Sequence, residues 1–218
     1  MQEVAIRDPH LGQPILTAGA PIAGARAALL AVHGRGARAE DILSVADQLN
    51  LPDLAYFAPQ AAGDAWYPNR FLAPLASNEP WLSSALAFLE RALAQISSAG
   101  VPPERVIFLG FSQGACLALE FVARHARRYG GLVGFSGALI GPDDTPRSYA
   151  GSLAGTPVFL GCSDVDPHVP KERVHQAATV LHSLGGEVTE RLYPNLGHTV
   201  NEDEIDFVRH MAQVLIPS

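Results

Sequence analysis

Five short apolar runs, each followed by a turn and most by an amphipathic segment, constrain this chain more than any other feature. "ARAALLAVHG" (residues 25–34) is continuously apolar up to a His-Gly pair, as a strand buried on both faces would be. "LAYFAPQ", "RVIFLG", "GLVGFSG" and "TPVFLGC" repeat the pattern. Between and after them the apolar period changes to that of a helix. Ile42, Leu43, Val45, Ala46 and Leu49 share one face, and Leu82, Leu86, Leu89, Leu93 and Ile96 form a stripe along residues 79–99. "SQGACLALEFVARHARRY", "VPKERVHQAATVLHSLG" and "NEDEIDFVRHMAQVLI" read as further helices, and "EVTERLYP" alternates as a strand. Strand–helix alternation of this kind implies a mostly parallel sheet with helices on both faces. At 218 residues and 48% hydrophobic, the chain suits one such domain, residues 1–218.

Composition narrows the function classes. A net charge of −7 is a poor match for nucleic acid or for an anionic membrane surface. No apolar run approaches the length of a membrane span, and residues 1–16 lack the basic-then-apolar layout of a signal peptide. Cys116 and Cys162 are too few for a disulfide framework and lack metal-site spacing. The expectation is a cytoplasmic protein with reduced core thiols, no metal and no stable membrane association.

One turn carries chemistry. In "RVIFLGFSQGACLALE", Ser112 sits between Gly110 and Gly114 at the step from strand to helix. Gly-x-Ser-x-Gly in that context is a nucleophile elbow, in which the serine is held on a strained turn above the sheet edge. The bland alternative is a structural turn in which Ser112 caps the helix. A serine nucleophile needs a base, and the base an orienting acid, in the chain order Ser, acid, His. Asp164 and Asp166 both fall on the loop after "TPVFLGC", and spacing alone leaves both open. His198, behind Gly197 in "NLGHTV", follows the last strand; His168 is its one serious rival. His33 lies upstream of the serine, and His10 and His210 read as peripheral. An oxyanion hole needs two inward N–H donors: Gln113, after the nucleophile, and Arg35, in the "VHGRG" turn, are placed to supply them. The long irregular stretch over residues 60–78 brings aromatic residues to a loop, the kind of segment that often carries function.

Taken together, "LLAVHGRGARAEDI", "VIFLGFSQGACLALE", "GFSGAL", "DVDPHVP" and "LGHTV" resemble the phospholipase/carboxylesterase family of α/β-hydrolases, which includes the acyl-protein thioesterases. The resemblance runs from about Ala27 to the C-terminus. It implies an α/β-hydrolase fold and a serine esterase needing no cofactor; the chain has no insertion long enough for a separate lid domain. It places the acid on Asp166, directly before the proline, the base on His198, and one oxyanion amide on Arg35. It also puts the residue 60–78 loop at the acyl pocket, where Trp66, Tyr67 and Phe71, with Trp81 beyond it, would bring bulky rings, and Trp66, Phe71 and Val169 are the substrate-binding candidates. Two features depart from the thioesterase members: "RGA" replaces their Leu-Gly-Asp after His-Gly, and "WYPNRF" occupies the pocket loop. The expected substrate is a small carboxylic ester with a short acyl chain. Thioesterase or lysophospholipase activity would use the same residues, and a non-catalytic binding protein of this fold would usually have lost one of them. The expected state is a monomer or homodimer.

Overall fold

The structure is a computed structural model, and it describes residues 8–216. Most of the stretch read above for a signal peptide is described, but its first seven residues lie outside.

Seven strands form one sheet in the order β1-β3-β2-β4-β5-β6-β7. They are β1 (Ile15–Gly19), β2 (Ala28–Val32), β3 (Ala55–Pro59), β4 (Val106–Phe111), β5 (Gly131–Phe135), β6 (Pro157–Ser163) and β7 (Glu187–Tyr193). All neighbours are parallel except β1, which pairs antiparallel with β3 from Ile15 opposite Pro59 to Gly19 opposite Ala55. The apolar runs of the sequence became the six parallel strands with β7 added. The strand β1 was not anticipated. Its five residues "ILTAG" are half-buried or exposed, so they lack the continuous apolar run that marks the inner strands.

Five helices cover the sheet: α1 (Ala39–Leu49), α2 (Trp81–Ser98), α3 (Gln113–Arg124), α4 (Lys171–Ser183) and α5 (Glu202–Leu215). Alternation along the strands divides the core in two. Ala28, Leu30 and Val32 of β2, with Val106 and Phe108 of β4, face α2, α3 and α4. Leu29, Ala31, Ile107 and Leu109 face α1 and α5. Helix α5 begins with a reciprocal cap: the Asn201 side chain accepts from the Glu204 N–H, and the Glu204 carboxylate accepts from the Asn201 N–H.

The order of the strands decides where a site can form. The chain passes from β2 outward to β3, then returns across β2 to β4 on its other side. At such a reversal the loops leaving neighbouring strand ends diverge and leave a crevice. Here that crevice lies between the His33–Gly36 turn and the Ser112 elbow.

Candidate active site

Ser112 occupies φ 54°, ψ −119°, a conformation L-residues seldom adopt, between the end of β4 and the first turn of α3. Its N–H donates to the Phe135 carbonyl at 2.9 Å, and its carbonyl accepts from Cys116 N–H at 3.0 Å. The flanking glycines answer a packing demand. A Cβ on Gly110 would lie 2.4 Å from the Gly114 carbonyl group, and one on Gly114 would lie 2.1 Å from the Val32 carbonyl oxygen. The elbow is thus pressed against both α3 and the end of β2, and only hydrogen fits at those two positions.

The turn after β7 carries His198 into the crevice. Gly197 takes φ 79° there, and its N–H donates to Ser163 Oγ at 3.0 Å, tying the turn to the end of β6. His198 Nε2 lies 2.9 Å from Ser112 Oγ, and its Nδ1 lies 2.7 Å from Asp166 Oδ2. The Phe111 ring packs against the imidazole at 4.9 Å. The two candidate acids part company here. Asp166 Oδ1 accepts the N–H groups of His168 (2.8 Å) and Val169 (3.0 Å), so the carboxylate is held by its own turn with the other oxygen on His198. Cys162 Sγ lies 3.8 Å from that second oxygen as a weak donor. Burial pushes the Asp166 pKa up, but the hydrogen bonds from His198, His168 and Val169 outweigh it and hold the carboxyl below its ordinary value. Asp164 instead accepts the Asn195 N–H at 2.8 Å and braces the loop that leads to His198. His168 sits edge-on to His198, ring centroids 4.7 Å apart, and is exposed at the rim.

A pocket of about 340 Å³ opens beside Ser112, walled by Tyr67, Phe71, Phe111, Cys116 and Val169 and rimmed by Arg35, Arg70 and His168. Gln113 is the first residue of α3, where a helix leaves N–H groups without intrahelical acceptors. No backbone hydrogen bond among the described residues uses the Arg35 N–H. Arg35 and Gln113 both line the pocket beside Ser112.

The expected pocket residue Trp66 is a correction. It is fully buried below the pocket, its Nε1 donating to the His33 carbonyl at 2.8 Å, its ring among His10, His33 and Phe88. The next residue, Tyr67, also expected near the pocket, is buried as well but does line it. In an irregular loop no period says which of two adjacent buried aromatics faces the pocket. Phe71 and Val169 do line the pocket. His10 is also a correction: it is no peripheral residue but a fully buried strut. It accepts the Ala62 N–H at Nδ1 (3.1 Å), and Nε2 lies 3.0 Å from the Trp66 carbonyl. His33 does the same from below, accepting the Ala61 N–H at Nε2. Burial lowers the pKa of both imidazoles, which keeps them neutral and able to accept.

Two side-chain roles had no signal in the sequence. The Arg35 guanidinium donates to the carbonyls of Tyr67 (2.9 Å), Pro68 (2.9 Å) and Asn69 (2.5 Å). The Gln113 side chain accepts the Trp66 N–H and donates to the Tyr67 carbonyl. The two residues read from the sequence as oxyanion donors thus clamp the pocket loop with their side chains. Cys116, on the pocket wall, is pushed up to about 12 by burial and stays a thiol. Among the described residues, no group of three or more His, Cys, Asp or Glu side chains is arranged to hold a metal ion. Nor, among them, is any helix long and apolar enough to cross a membrane.

A strained serine at a strand-to-helix elbow, backed by an imidazole and a carboxylate from the last two strand ends, defines an α/β-hydrolase. The family is specific: a model described as phospholipase/carboxylesterase matches residues 17–216, and the chain belongs to that family. A phospholipase/carboxylesterase from Dyadobacter fermentans superposes with a TM-score of 0.88 at 43% identity, over 91% of this chain and 95% of that one. The esterase PE8 superposes with a TM-score of 0.76 at 26% identity, over 93% and 98%. Among curated proteins, acyl-protein thioesterase 1 of Gibberella zeae is 30% identical over 139 residues, which is 60% of this chain and 56% of that protein. A probable carboxylesterase of Oryza sativa subsp. japonica is 31% identical over 112 residues, 51% and 48%. The chain thus matches about half the length of these curated relatives.

Proposed function

We propose that this chain is a serine carboxylesterase that cleaves short-chain carboxylic esters through an acyl-enzyme. The observation that carries the reading is the unbroken relay from Ser112 through His198 to Asp166, at 2.9 and 2.7 Å. The Asp166 carboxylate accepts from His198 Nδ1–H, which leaves Nε2 as the acceptor for the Ser112 hydroxyl proton. As that proton moves to Nε2, Oγ bonds to the acyl carbon and the carbonyl electrons move onto oxygen. The Gln113 and Arg35 amides stabilise that charge. Asp166 meanwhile stabilises the imidazolium. His198 returns the proton to the departing alcohol as the C–O bond breaks. Water then repeats the sequence on the acyl-enzyme, releasing the acid and restoring Ser112. No step calls for a metal or an organic cofactor. The partner is a small-molecule ester, and we place the enzyme in the cytoplasm as a monomer or homodimer.

The preference for short acyl groups rests on size. A pocket of about 340 Å³ is at the small end of the range for small-molecule sites, and Tyr67, Phe71 and Val169 close it. The name of the Gibberella zeae relative favours a second reading, thioester hydrolysis by the same residues. One series tests both: kcat/KM for oxygen esters and thiol esters from acetyl to palmitoyl, with fluorophosphonate labelling of Ser112 alongside. The reading requires an optimum at about two to six acyl carbons. An optimum at twelve or more, or activity on thiol esters only, overturns it. Unlabelled Ser112 would remove the hydrolase reading altogether.

A further inference from the structure

The chain carries a net charge of −7, yet the rim of its candidate active site is cationic. Arg35 and Arg70 stand at the mouth beside His168 and His198, and, among the described residues, no Asp or Glu lines the pocket. Here, among the described residues, neither Arg35 nor Arg70 forms an ion pair. Arg35 is held by three backbone carbonyls, so its position is set while its charge is left uncompensated. Arg70 is exposed and makes one long contact, 3.3 Å, to the His168 carbonyl. Carboxylates on flanking segments are engaged elsewhere. Asp166 is bound to His198 and two amides, Asp64 accepts from the Gln60 side chain, and Asp41 accepts from the Arg38 N–H.

Building on the ester-hydrolase reading above, we propose that the preferred substrate is an ester bearing a free carboxylate, which Arg70, with the fixed charge of Arg35 behind it, recognises at the pocket mouth. A neutral short-chain ester needs none of these charges. An anionic one gains a charge-assisted hydrogen bond from Arg70, which has most of its five donors uncommitted. The mouth's field also draws it towards Ser112 against the repulsion of the acidic surface. The carboxylate is tested on both the acyl side and the alcohol side of the ester.

Four esters of matched shape separate these cases. Monoethyl succinate carries the charge on the acyl side, and ethyl 4-oxopentanoate is its neutral isostere. Acetoxyacetate carries it on the alcohol side, and acetoxyacetone is the neutral isostere there. Each turnover at pH 7.5 releases one proton, so a pH-stat reads all four alike. One of the two anionic esters should exceed its isostere in kcat/KM by about fivefold or more. The same anionic-to-neutral ratio should fall about five- to tenfold in Arg70→Gln, survive in Arg70→Lys, and invert in Arg70→Glu. Because the ratio is internal to each variant, a general loss of activity does not move it. In the wild-type enzyme the ratio should shrink about threefold between roughly 10 mM and 500 mM NaCl, as ions screen a solvent-facing charge. Neutral isosteres that match or beat both anionic esters would overturn the proposal and leave the esterase reading intact. So would a ratio that Arg70→Gln leaves unchanged. If none of the four is hydrolysed and fluorophosphonate leaves Ser112 unlabelled, the failure belongs to the hydrolase reading instead.

Discussion

Replacing Gly114 with alanine adds one carbon at the point where the elbow meets β2. That Cβ would lie 2.1 Å from the Val32 carbonyl oxygen, 2.4 Å from the His33 carbonyl oxygen and 2.6 Å from the Val32 carbonyl carbon. All three are backbone atoms, so no side chain can swing aside. Ordinary contact requires the start of α3 and the end of β2 to separate by about 1 Å. The two proposed oxyanion amides lie on opposite sides of that seam, Gln113 on α3 and Arg35 on the turn after β2. A displacement of about 1 Å in a positioned group costs on the order of 10²-fold, and full loss of one oxyanion donor 10²–10³-fold. Gly114→Ala should therefore lower kcat by about 10²–10³. Overpacking should also cost roughly 1–3 kcal/mol of stability, at about 2–4 °C in Tm per kcal/mol for a chain of this size. The assay is steady-state hydrolysis of p-nitrophenyl butanoate at saturating substrate, on protein whose Tm is measured in parallel. Gly100→Ala is the comparison. It sits at φ 103° with open space around it, past the end of α2, so it carries backbone strain but no clash near the site. It should lose stability and keep its kcat. A Gly114→Ala enzyme with kcat within threefold of wild type would refute the reasoning.

The other expectations concern single side chains. Asp166→Asn should cost on the order of 10⁴ in kcat at neutral pH by presenting the wrong imidazole partner, whereas Asp164→Asn should cost far less; the reverse ranking in a kcat comparison would exchange their roles. Because the native Asp166 carboxyl is held below its unfolded value, its share of stability is complete above about pH 4–5 and drains away as pH falls through the lowered value, which urea midpoints from pH 6 down to pH 2 would register. Glu204 goes the other way: burial pushes it up to about 7, and its Oε1 is buried without a partner. Between its unfolded value and about 7 the folded state binds the extra proton, so stability falls as pH rises through that window, by on the order of 3 kcal/mol, and Glu204→Gln should abolish that component in urea titrations at pH 5 and pH 8. Trp66→Ala should destabilise by about 3–5 kcal/mol, seen as a lowered urea midpoint, without moving the acyl-length optimum, while Phe71→Ala should move the optimum towards longer chains in the p-nitrophenyl ester series.

What could be read from the chain alone was whatever local pattern determines. A strand buried on both faces must be apolar throughout, so β2 to β6 announce themselves, and their alternation with amphipathic segments leaves few topologies. The elbow is legible as well, because it leaves a fixed five-residue pattern, with glycines two residues either side of Ser112, even though the contact that demands Gly114 is with β2. His198 follows from chain order and its glycine turn. The rest depends on what lies across the crevice. Asp164 and Asp166 are two residues apart on one loop, and only the approach of the β7 turn puts His198 against one and Asn195 against the other. Trp66 and Tyr67 are neighbours in a loop without a period and both are buried; the bed of His10, His33 and Phe88 takes the Trp66 ring and leaves Tyr67 to line the pocket. Nothing near Arg35 in sequence says that its guanidinium will clamp carbonyls some thirty residues away, because those acceptors are backbone atoms and carry no residue identity. The edge strand β1 forms because β3 offers it a free row of hydrogen bonds, a template that exists only once the sheet has been assembled.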